Sequence, residues 1–97
     1  MNEIDVRYSS HLAIRLKMRG IPYELPRIVY IRARRRFHDV QSDLDIAVHR
    51  TEYCGKLREL ALTYRSHPSH ILLITIHPLK PNQLQNRIQS RRWQEII

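Results

Sequence analysis

Leu44-Asp45-Ile46-Ala47-Val48-His49 and Glu59-Leu60-Ala61-Leu62-Thr63-Tyr64 are the two runs whose reading decides the fold. In the first, Leu44, Ile46 and Val48 alternate with Asp45, Ala47 and His49. In the second, Leu60, Leu62 and Tyr64 alternate with Glu59, Ala61 and Thr63. A period of two places alternate side chains on opposite faces, so each run predicts a β-strand. Cys54-Gly55-Lys56 between them suits a hairpin turn. Further on, His67-Pro68-Ser69-His70 predicts a second turn. Ile71-Leu72-Leu73-Ile74-Thr75-Ile76 then reads as a central strand covered on both faces, stopped by Pro78 and Pro81.

Upstream, Ile4-Asp5-Val6-Arg7-Tyr8 alternates over the length of a short strand. Leu12, Ile14, Leu16 and Met18 also show period two. There, hydroxyl caps at Ser9 and Ser10, good helix formers, and Gly20 with Ile21 folding back on Leu16 decide for a helix. Pro26 opens a second helix to about Arg34, offering Leu25, Ile28, Val29 and Ile31 to the core, and Arg32-Ala33-Arg34-Arg35-Arg36 ends it. Asn82 to Ser90 predicts a short polar helix with Leu84 and Ile88 turned inward, followed by Arg91-Arg92-Trp93. The expected architecture is α+β, in the order β-α-α-β-β-β-α. Two N-terminal helices pack on a three- to four-stranded antiparallel sheet, with a short C-terminal helix, and residues 1–97 make one domain.

Seventeen Lys+Arg against nine Asp+Glu give a formal charge of +8, mostly arginine. A guanidinium grips phosphate bidentately, so this balance points to a polyanion, RNA above all, although a soluble basic coat has the same composition. The single cysteine, Cys54, excludes an internal disulfide and fits a reducing compartment. The opening MNEIDVRYSS lacks a signal peptide's apolar run, and Ile71 to Ile76 falls far short of the roughly 20 residues that span a bilayer. A cytoplasmic protein without membrane contact is expected.

At about 100° per residue, His11, Arg15 and Arg19 share one helical stripe. Leu12 and Leu16 flank it on one side, Ile14 and Met18 on the other, so core formers hem the basic residues in, as at the floor or rim of a cleft. Snorkelling arginines over a core rim would look the same. His77 ends a strand beside Pro78, where an imidazole can act as acid or base or simply cap the sheet. His67 and His70 stand at a metal-compatible spacing with no third ligand evident, and His38 and His49 carry no distinguishing context.

Asp39, Asp43 and Asp45 raise a metal-dependent nuclease, but the run has no EF-hand glycine or glutamate, and solvated positions fit them better. No phosphate-binding glycine loop or nucleophile elbow is present, and Cys54 has no adjacent base. Tyr64 and Trp93 can stack on bases, Tyr64 being equally suited to the core. RNA cleavage by its own 2′-hydroxyl needs a base, an acid and cations, with no metal or other cofactor, and the chain has those groups in surplus.

Tyr8-Ser9-Ser10-His11, Arg15 and Arg19-Gly20-Ile21 resemble the opening block of the domain-of-unknown-function family numbered 4258. Phe37-His38-Asp39, Ile46-Ala47-Val48, Thr75-Ile76-His77-Pro78, Asn86-Arg87-Ile88 and Arg92-Trp93 resemble its later blocks, so the likeness spans nearly the whole chain. Pro22 stands where a capping serine is common, and Arg91 where glycine usually precedes Arg-Trp. That family is similar to RelE and BrnT toxins, small basic ribonucleases of toxin–antitoxin pairs. The resemblance implies a RelE-like fold, metal-free cleavage of RNA and a neutralising antitoxin partner. It points to His11, Arg15, Arg19, His77, Arg87 and Arg92, of which His11, His77, Arg15 and Arg87 are expected to be catalytic. Arg19, Arg65, Arg91, Arg92 and Trp93 complete the expected nucleic-acid contacts. A non-catalytic module for RNA or an acidic protein is the alternative.

Overall fold

The computed structural model describes residues 4–96. In chain order these form β1 (Val6–Tyr8), α1 (Ser10–Arg19), α2 (Leu25–Arg32), β2 (Arg35–Asp39), β3 (Leu44–Tyr53), β4 (Lys56–Ser66), β5 (Ile71–Pro78), α3 (Gln83–Gln89) and β6 (Trp93–Ile96). The strands make one six-stranded sheet in the order β1-β5-β4-β3-β2-β6. β1 pairs parallel with β5, and the remaining pairs are antiparallel. This mixed sheet overturns the expected RelE-like arrangement of three or four antiparallel strands beneath two N-terminal helices.

Two unexpected strands account for much of the difference. Arg35-Arg36-Phe37-His38-Asp39 has one apolar residue, and its two arginines belong to the basic cluster expected to end the second helix. Backbone pairing to β3 on one side and β6 on the other makes it a strand. Trp93–Ile96 is likewise too polar to show a hydrophobic period, as suits an edge strand. β5 is not central: β1 meets it only along Ile71–Leu73. Beyond Leu73, no strand among the described residues covers its outer edge.

Local chemistry sets the turns. The Ser9 hydroxyl accepts the Leu12 amide at the start of α1. At its end, Gly20 takes φ 64° and the Ile21 amide reaches back to the Leu16 carbonyl, a left-handed closure that suits glycine. Cys54 and Gly55 both have positive φ in a two-residue hairpin, the geometry whose twist matches paired strands.

Helices lie on both faces of the sheet. Leu12 and Leu16 of α1 and Leu25 and Val29 of α2 are buried against Ala47, Leu60, Leu62, Tyr64, Leu73 and Ile76. Leu84 and Ile88 of α3 pack on the other face against Phe37, Ile46, Val48, Ala61, Leu79 and Trp93. Ile14, Met18 and Ile31, expected in or beside the core, are instead 58%, 79% and 56% exposed. The basic stripe of α1 therefore has a buried apolar flank on one side and a solvent-facing one on the other. Among the described residues, no helix is long and apolar enough to cross a membrane.

Candidate functional site

α1 runs beside the uncovered edge of β5, and a cleft of about 260 Å³ opens between them. His11, Arg15 and Arg19 line it from the helix, and Ile74 to His77 line it from the strand. The two histidines whose juxtaposition sequence alone could not decide thus border one cleft.

Its geometry comes from a backbone irregularity. Thr63 pairs with Thr75 and Tyr64 with Leu73, so Ile74 is an extra residue in β5. Such a bulge bends a strand and re-aims its side chains. Ser9 ties it to α1: its amide donates to the Leu73 carbonyl at 2.9 Å and its hydroxyl to the Ile74 carbonyl at 3.3 Å. One serine therefore caps the helix and fixes its start against the bulge.

The arginines of α1 are exposed along the cleft, with Leu12 and Leu16 buried behind them. His77 is half-buried. Burial, and then the positive charge of Arg87 on α3, hold its pKa below the usual histidine value. His77 pairs with Ala61, which belongs to the α3-side core, so its side chain shares that face while its strand borders the cleft.

The remaining expected nucleic-acid contacts lie elsewhere. Arg92 is bonded to Asp39 through both carboxylate oxygens at 3.2 Å, on the far side of the sheet. β6 stands four strand spacings from β5, about 19 Å. Trp93 is 4% exposed and packs against Phe37 with ring centroids 5.8 Å apart, so stacking on a base is closed to it. Arg91 is exposed beside them at φ 64°. Arg65 is exposed near the β4–β5 turn, opposite Leu72 and outside the cleft.

Of the acidic run expected to be solvated, Asp43 is exposed, Asp45 is partly buried and Asp39 is buried. Asp39 is 4% exposed, as the partner of Arg92. Asp45 bonds the His38 Nδ1 at 2.8 Å and Asp43 its Nε2 at 3.0 Å. These bonds, that from Asp45 foremost, raise the His38 pKa. His38 and Asp45 are register partners on adjacent strands, a relation invisible until β2 is recognised. Arg36 lies over the Tyr30 ring at 4.6 Å and the Tyr64 ring at 5.7 Å, which makes Tyr64 core. Among the described residues, no three His, Cys, Asp or Glu side chains gather in a metal-binding group.

Fold and site together define a small mixed α/β domain with a basic cleft at the uncovered edge of its sheet. No family profile, curated protein or solved structure matches the chain.

Proposed function

We propose that the α1–β5 cleft binds RNA and cleaves it without a metal ion, as a toxin-like endoribonuclease held in check by an antitoxin protein. The observation that carries the reading is the meeting of His11, Arg15, Arg19 and His77 at one cleft. The likeness to family 4258, carried by the His11, Arg15, Arg19-Gly20-Ile21 spacing, is part of the proposal. His77, its pKa lowered by burial and then by Arg87, turns from the α3 face across the uncovered β5 edge and accepts the 2′-hydroxyl proton. The 2′-oxygen bonds to phosphorus as the bond to the 5′-oxygen breaks, and His11 donates a proton to that leaving oxygen. Arg15 and Arg19 hold the charge that builds on the phosphate.

The test is incubation of the purified protein with RNA in excess chelator. Cyclic-phosphate products are expected, with the rate falling about 100-fold or more in His11→Ala or His77→Ala. Cleavage unchanged by both replacements would overturn the mechanism, and cleavage abolished by chelator would point to a metal-dependent nuclease.

A second reading rests on the strand register. Because His77 shares its face with Ala61, away from α1, the cleft also fits a module that binds RNA or an acidic protein without cutting. It predicts salt-dependent binding with no turnover.

A further inference from the structure

On the α3 face of the sheet, a groove of about 720 Å³ separates that helix from the β3–β4 hairpin. Its floor is aliphatic. Leu84 and Ile88 reach it from α3, both only partly buried, and Leu57 stands 61% exposed on β4. Its rim is cationic, with Arg50, Arg58 and Lys80. No carboxylate among the described residues forms an ion pair with any of these three, whereas Arg35, also at the groove, is held by Glu95. Glu59 is the one acidic residue in the lining.

The occupant follows from this pattern. Covering the open leucine and isoleucine removes apolar surface from water, worth about 25 cal/mol per Å². Unpaired cations on the rim favour acidic flanks and select against basic ones. Single-stranded nucleic acid relies on aromatic rings for stacking, and none lines this groove. An amphipathic helix with an apolar stripe and acidic sides satisfies both floor and rim.

We propose that this groove docks an acidic amphipathic helix of a partner protein. It does so on the face opposite α1, so the partner and an anion in the α1–β5 cleft bind together without displacing one another. The inference does not depend on the chemistry of the cleft.

The probe is a fluorescein-labelled helical peptide of about 18 residues, with leucines at i, i+3, i+4 and i+7 and glutamates elsewhere, titrated with the full chain. Expected is saturable binding that weakens at least tenfold in Leu57→Ser/Lys80→Glu, is unchanged in Arg15→Glu, and survives saturating octauridine. The same double variant should bind octauridine as the parent does. Since Leu57 and Lys80 are exposed, both replacements should leave the fold intact; if the double variant melts early, Arg50→Glu alone gives the same readout. Absent peptide binding, equal binding of a lysine-for-glutamate peptide, loss in Arg15→Glu, or displacement by octauridine would each overturn the proposal. Failure of octauridine to bind the parent counts against RNA in the cleft and leaves the groove standing.

Discussion

At the scale of single residues, two charged contacts determine how the domain should respond to pH. Burial alone would push the Asp39 pKa up, but bonds from Arg92, the Gln41 amide and Ser42 outweigh it and bring it down to about 2. A depressed carboxyl stabilises the fold above its unfolded pKa and loses that contribution as pH falls through the folded value. Asp39→Asn should therefore be about 2 kcal/mol less stable at pH 6, with the gap to the parent closing towards pH 2. Urea unfolding followed by Trp93 fluorescence reads this.

His38 has the opposite sign. Its raised pKa means that the clamp by Asp45 and Asp43 contributes fully below the ordinary histidine value and is lost as pH rises through the folded one. Stability should fall with alkaline pH above about 6.5. His38→Gln should flatten that fall.

At the scale of elements, caps and turn conformations make separate predictions. Ser9 holds the start of α1 and the β5 bulge at once, so Ser9→Ala should cost about 1–2 kcal/mol. It should also loosen the cleft, seen as weaker anion binding in protein that remains folded. Arg91, just beyond α3, occupies the left-handed region at φ 64°, a conformation that favours glycine. Arg91→Gly should raise stability by about 1 kcal/mol, read from the urea midpoint. Trp93 anchors β6 in the second core, and Trp93→Ala should lose about 3–5 kcal/mol, read by circular dichroism.

At the scale of the whole molecule, the +8 charge divides into regions with different environments. Arg15 and Arg19 line the cleft, Arg50, Arg58 and Lys80 border the α3 groove, and Arg35 and Arg92 are engaged with Glu95 and Asp39. If RNA binds the cleft, Arg15→Ala should reduce the log–log salt slope by about one, while Arg92→Ala should leave it unchanged and lower stability instead. Titrating oligonucleotide at several salt concentrations checks both.

The sequence by itself determined what depends on neighbours along the chain. The caps of α1, the stripe of His11, Arg15 and Arg19, the Cys54-Gly55 turn and the alternation of β3 and β4 were all legible, because they rest on local backbone preference and local period. Only the tertiary structure decided what depends on pairing across the sheet. β2 and β6 are strands because other strands supply their hydrogen bonds, not because their residues alternate. The parallel seat of β1 leaves the β5 edge open beside α1, and the Ile74 bulge shifts the register so that His77 shares the face of Ala61 while its strand borders the cleft. The same pairing puts Arg92 and Trp93 at the opposite edge of the sheet. Charge and helical spacing specify which groups are available, but strand order specifies which of them meet.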